Sequence, residues 1–430
     1  MANFDQFAGQ FSWPKISGVL RSVRLWYSLL VLSLVISQSS VGFGQSASPA
    51  PGKVNKEINQ PSGSSSQTDG AAGLPSEPAV DDKGAPKDDK GVPKKEKRGS
   101  LVIAPIPISS PAFGAGLILI AGYVFKLNQQ DEKSPPSFLG ASGAFTNNGT
   151  RALLLGGKLY AKENKYQTTF ALAKGRANLD FFGIGRIPGR PPISVPLSMS
   201  GTIFFGEGMR NLGKNIFVGP RFQYRRLSAG IDGDPVEGGF EIPDIDLKST
   251  SAALGFHVQR DLRDNTFYPT RGTLFDFTAD FFDQVWGSRR EYQTYKVGYN
   301  GYRKVGDRQV LAYRAMACSA NGSVPFYDLC LFGFSNDLRG YTTGEFQNRR
   351  MFATQAEYRR ELAKRLGVVA FGGFGGVARR WGEFRFDQLL PSAGAGLRFK
   401  LDKKNHINYR IDLAFGREGR TLSIGVGEAF

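Results

Sequence analysis

Cys318, Cys330, His257 and His406 are the whole stock of thiol and imidazole groups in the chain. Eleven residues separate the two cysteines. In an oxidising compartment they can close a disulfide, or they can stay two small unbonded side chains, and spacing alone does not choose. Zinc is not expected, because neither histidine lies near the cysteine pair. Hydrolysis through an activated serine is not expected either: there is no Gly-x-Ser-x-Gly elbow, and the histidines are far apart along the chain. Asp232, Asp234, Glu237, Glu241, Asp244 and Asp246 form an acidic stretch without the ligand spacing of a calcium loop, and read as a solvated loop. A protein that is not an enzyme, with no metal and no cofactor, is the expectation. The 55 Lys and Arg against 38 Asp and Glu leave a net charge of +17, but the basic residues are scattered along alternating segments without a recognition helix, so nucleic acid is not expected as a partner.

The segments that carry these charges decide the fold class. A mean hydropathy of -0.27 is too polar for a bundle of membrane helices. Glycine (54), phenylalanine (34) and tyrosine (15) are abundant, which suits turns, small lumen residues and aromatic girdles of a β-structure. Beyond Gly99 the chain runs in stretches of roughly ten to fifteen residues with period-two alternation, as transmembrane strands require. Ile407, Tyr409, Ile411, Leu413 and Phe415 oppose Asn408, Arg410, Asp412, Ala414 and Gly416. Phe275, Phe277 and Phe281 oppose Asp276, Thr278 and Asp280. In the last stretch Leu422, Ile424, Val426 and Phe430 share one face, and Ser423, Gly425, Gly427 and Ala429 the other. A soluble sandwich would have to fit all the aromatic faces into one dry core, whereas lipid solvates them directly and closure satisfies every backbone group. The reading is an all-β fold: a transmembrane antiparallel β-barrel in contact with outer-membrane lipids. About fifteen strands can be counted, ten of them before the long segment Ser319 to Gln347. Termini on one side require an even number, so sixteen are expected, with the uncounted strand near Leu101 to Ile108, where prolines obscure the alternation.

Export fits this picture. Lys15, Arg21 and Arg24 precede the 12-residue apolar run Leu25 to Ile36, with a small-x-small segment at Gly42, Phe43 and Gly44. Residues 1–44 therefore read as a signal peptide, too short in its apolar run to span a bilayer. Residues 45–98, rich in Ser, Pro, Gly, Lys and Asp, read as a disordered linker, and 99–430 as the barrel.

Specific residues then narrow the family. The stretch Arg260 to Gly272, with Asp261, Asp264, Pro269 and Gly272, is similar to the strand-turn-strand signature of the bacterial surface antigen family, the barrels related to BamA and TamA. Leu338, Arg339, Gly340 and Tyr341 resemble the tip motif of that family's long sixth loop, and the closing Ala429 and Phe430 its terminal assembly signal. Glu357-Tyr358-Arg359 and Gly394 to Arg398 resemble it too. The order of these matches is the family's order. Physically, Pro269 and Gly272 turn the chain while Asp261 and Asp264 can bond nearby amides, and Arg339 offers a guanidinium fork that pins a loop to a carboxylate inside the lumen.

The resemblance implies that the loop arginine meets an aspartate in a Phe-x-Asp-x-Gly stretch, but here that stretch reads Phe371-Gly372-Gly373-Phe374-Gly375. Glu357 is the expected substitute, and exchanging the charges of Arg339 and Glu357 together should then rescue the single variants. The family's periplasmic POTRA modules cannot be encoded by residues 45–98. The same resemblance implies a barrel that assists insertion or translocation of outer-membrane proteins, through a weak seam between its first strand and the strand ending at Phe430. Gly425 and Gly427 suit such a strand, or simply leave room for the lumen loop. Nascent outer-membrane proteins and the cell's barrel-assembly machinery are the implied partners. A passive pore or surface antigen without clients is the alternative on the same fold.

Overall fold

Alternating charge and grease along an extended chain is stable only where the two faces meet different surroundings, and a closed barrel supplies both at once. The computed structural model describes residues 99–430 apart from 111–112, 132, 190–193, 232–247, 334–336 and 403–406. The signal peptide and linker read in residues 1–98, the acidic stretch at 232–246 and His406 lie outside the described residues.

Among the described residues eighteen strands succeed one another: β1 (Gly99–Ser110), β2 (Gly114–Phe125), β3 (Ser137–Thr146), β4 (Arg151–Ala161), β5 (Tyr166–Phe181), β6 (Val195–Asn211), β7 (Ile216–Ile231), β8 (Lys248–Asp261), β9 (Gly272–Phe282), β10 (Tyr292–Gly306), β11 (Gln309–Gly322), β12 (Cys330–Leu331), β13 (Gln347–Asn348), β14 (Arg350–Glu361), β15 (Leu366–Ala378), β16 (Leu390–Asp402), β17 (Ile407–Gly416) and β18 (Gly419–Val426). All but β12 and β13, which form a small hairpin of their own, make one closed antiparallel barrel of sixteen strands. The expected strand count holds. The strand that alternation missed is β1, where Pro105 and Pro107 interrupt the pattern and remove two ladder donors, tolerable on a strand that borders a seam.

The outward face is apolar. Leu119 is 48% exposed at the middle of β2, and Leu153, Leu172, Phe275 and Leu413 are likewise exposed. The inward face is charged and buried, with Arg221 facing Asp280 at 3.0 Å and His257 held between Glu207 and Asp276, each at 2.8 Å. Leu119→Arg is expected to destabilise the folded barrel by about 2–4 kcal/mol in a bilayer. Urea-induced loss of the heat-modifiable form in liposomes measures this; a change within about 0.5 kcal/mol, as on a watery surface, would place the residue outside lipid.

The closing strand requires a correction. Regular pairing stops at Val426, and Gly427, at φ 89°, turns the chain. Val426 is buried in an apolar cluster with Val102, Ile106, Ile118, Ile120, Val124, Phe138 and Ile407. Phe430 is buried against Tyr302 and Ala312 of the inner wall. Alternation had put Val426 and Phe430 on the lipid face with Leu422; Val426 keeps that register opposite Tyr409 but is covered by the apolar cluster, whereas Phe430 turns to the inner wall. Period-two reading carries no information about where a strand ends, and a left-handed glycine ends this one.

Candidate functional site

Between β11 and β14 the chain leaves the wall and returns into the lumen. Its entry is stapled: Cys318 of β11 and Cys330 of β12 form a disulfide, with their Cα atoms 5.8 Å apart. Behind the staple, Phe332, Leu338, Tyr341 and Phe346 pack on Met316, Met351, Ala353 and Leu390 of the wall. Polar pins flank this apolar plug. Asp328 accepts from Arg225 and Tyr292, Asp337 pairs with Arg314 at 2.8 Å, and Glu345 pairs with Arg186 at 2.5 Å.

The four tip residues act together. Leu338 is fully buried. Gly340, at φ 103°, passes so close to β17 that an added Cβ would lie 3.1 Å from the backbone of Phe415 and Gly416, so a side chain there meets both strain and contact. Tyr341 donates its hydroxyl to the Pro391 carbonyl at 2.5 Å and accepts from the Arg417 amide at 3.0 Å.

Arg339 carries the charge. Its guanidinium donates to Glu357 at 2.6 Å, to Asp412 at 2.9 Å and to Gln355 at 3.0 Å, and lies 3.4 Å above the Phe371 ring. The missing aspartate now has a reason. A side chain at Gly373 would run into the backbone carbonyl of Thr354 and come within 2.8 Å of Leu338, so the loop tip occupies that volume and the acids come from β14 and β17 instead.

The pair extends into a network. Glu357 also accepts from Arg359 at 2.6 Å; Arg398 reaches Asp412 at 2.5 Å and Glu428 at 2.7 Å; Arg359 lies 3.8 Å from Glu428. Three guanidinium groups face three carboxylates, with every side chain at most 4% exposed. Charges so thoroughly removed from water persist only when mutually compensated.

Two further motifs arrive at the same place. In the turn 262–271, Asp264 accepts from the amides of Thr270 and Arg271, Asp261 accepts from the amide and guanidinium of Arg263, and Asn265 accepts from the amides of Phe267 and Tyr268. Gly272, at φ 96°, completes the turn, in which Pro269 is buried. This folding carries Tyr268 to the Arg359 guanidinium, 5.9 Å from its ring centroid. At the C-terminus, Glu428 accepts from Asn408 and Arg398, and the Phe430 carbonyl accepts from Arg359 at 2.8 Å. Loop tip, turn and chain end, read from sequence as separate motifs, thus meet on one charged cluster. Asp412, Gln355 and Glu428 were not anticipated as members. Alternation already placed Asp412 on the inner face, but it said nothing of Glu428.

The Omp85 superfamily domain is matched over residues 140–430. No curated protein matches the sequence. Among solved structures, BamA from Haemophilus ducreyi lacking POTRA domains 1-3 is similar with a TM-score of 0.52 and 14% identity, over 77% of this chain and 70% of that one. CdiB from Acinetobacter baumannii gives 0.50 and 12%, over 77% and 60%, and CdiB from Escherichia coli 0.50 and 12%, over 76% and 67%. The chain thus spans less than two thirds of the A. baumannii CdiB chain, and at such identities the likeness is one of fold. With the domain match covering most of the chain and sixteen strands closed around a pinned lumen loop, the protein is an integral outer-membrane barrel that belongs to the Omp85 superfamily.

Proposed function

We propose that this barrel assists the insertion or translocation of outer-membrane proteins by parting between β1 and β18. One observation carries the reading: the register across this seam is a single pair, Ser109 with Ile424, whereas every other neighbouring pair in the barrel shares eight or more positions. Pro105 and Pro107 cannot donate across it. Strand edges so sparsely joined offer main-chain donors and acceptors to an incoming strand, the chemistry of β-augmentation. Side chains supply the closure instead, through the apolar cluster of Val102, Ile106, Ile118 and Val426. A passive pore is less well supported, since the loop tip and its plug fill the lumen side of β11 and β14–β17. Nascent outer-membrane proteins are the proposed clients, and the cell's barrel-assembly machinery a proposed partner.

The test is a covalent lock. Ser109→Cys and Ile424→Cys are joined by a short bis-maleimide, which spares the native cysteines because they are already bonded to each other. Folding of an outer-membrane protein into liposomes holding the locked barrel should fall to the rate in empty liposomes, while the unjoined double variant keeps its activity. A locked barrel as active as the unjoined one refutes a working seam.

A further inference from the structure

The outer wall of β4 to β8 is not uniformly apolar. Pairing aligns Arg151, Arg176, Ser200, Ser228 and Lys248 in one row across the five strands. The next row is Leu153, Lys174, Thr202, Arg226 and Thr250. One step further toward the end that carries the termini the row becomes Leu155, Leu172, Phe204, Tyr224 and Ala252, and apolar residues continue below it. Cations interleaved with hydroxyls therefore stop about 7 Å, two strand residues, above the greasy band. A row of cations bordering an apolar band on the outer face suits the boundary between acyl chains and headgroups.

All five cations are exposed, and among the described residues none is ion-paired. The contrast within β7 is sharp: inward Arg221 and Arg225 face Asp280 and Asp328, whereas Arg226, on the outward face, is exposed. Nor is this the general character of that end of the barrel. Around β14 and β15 the same end carries aromatic residues, with Phe352, Phe374, Phe384 and Trp381 in ring contact.

We propose that this sector binds anionic, phosphate-bearing lipid headgroups of the leaflet remote from the termini. Guanidinium forks and ammonium groups supply the charge, Ser200, Thr202 and Thr250 supply neutral donors, and the long side chains reach upward from an apolar base. The cations hold the headgroup while the rows below hold its acyl chains.

Native mass spectrometry of the detergent-purified full chain, offered dioleoyl phosphatidic acid and dioleoyl phosphatidylcholine in equal amounts, reads the preference directly. The wild type should favour the anionic lipid. The triple variant Lys174→Gln, Arg176→Gln, Arg226→Gln should lose at least ~10-fold of that preference, given the stabilisation that each basic residue provides at an anionic surface. A second triple variant, Arg210→Gln, Arg260→Gln, Arg303→Gln, removes the same charge from exposed residues near the opposite end and should keep it. Heat-modifiability confirms that both variants are folded. The proposal is overturned if the wild type shows no preference, if both variants lose it equally, or if millimolar inorganic phosphate displaces the lipid, which would make the sector a site for free anions.

Discussion

Glu357→Gln should cost the folded barrel about 3–5 kcal/mol. The reason is arithmetic of charge in a dry place. Glu357 faces Arg339 at 2.6 Å, Arg359 at 2.6 Å and Arg398 at 3.6 Å, and is itself fully buried. Removing its charge leaves three guanidinium groups against Asp412 and Glu428. Urea titration of the heat-modifiable form measures the loss, and a variant within about 0.5 kcal/mol of wild type would show that the cluster is hydrated in solution. The same geometry changes what a charge exchange would report. A glutamate at position 339 would face Asp412, and an arginine at 357 would join Arg359 and Arg398. Exchanging Arg339 and Glu357 is therefore expected not to rescue, although the two residues are in direct contact. Rescue would require the pair to act in isolation, and its failure no longer counts against the contact.

Ile106→Asp should open the seam. Ile106 is 2% exposed inside the cluster that closes β1 on β17 and β18, whereas Ile103, three residues earlier on the same strand, is 66% exposed. Even truncation to alanine at such a site costs about 2–5 kcal/mol, and a carboxylate adds the desolvation of an uncompensated charge. With hardly any register across the seam to share the load, the loss should appear as separation of the strands. In the Ser109→Cys, Ile424→Cys background, maleimide crosslinking should drop several-fold with Ile106→Asp and stay near its starting yield with Ile106→Val. Undiminished crosslinking in the aspartate variant would mean that the cluster does not hold the seam.

The charged cluster also places the lumen loop and the chain end in one unit. Arg339 belongs to the loop tip and Glu428 to the residues that come after β18, and Asp412, Arg398, Glu357 and Arg359 join them. Tyr268 brings the turn between β8 and β9 to the same guanidinium. Loss of the loop pin is thus expected to loosen the closing strand, because both draw on the same counter-charges.

Much of this architecture could be read from short stretches of chain. Side chains of a strand alternate with period two whatever lies beyond it, so the lipid face of β9 and the charged face of β17 were legible in a dozen residues each, and parity supplied the sixteenth strand. The turn at Gly272 was legible for a similar local reason, since proline and glycine suit a sharp change of direction, whereas the loop tip at Gly340 was legible through its resemblance to the family's loop motif. Pairings across the lumen were not. Arg339 and Asp412 lie 73 positions apart, and which acid on an inner wall meets a loop depends on strand register and loop path, which no local pattern encodes. The single-pair seam likewise emerged only once β1 and β18, at opposite ends of the barrel sequence, were brought side by side; closure of the Cys318–Cys330 bond and the turn at Gly427 are short-range, but the Cα separation and the backbone angle that decide them are set by the folded wall and not by residue type.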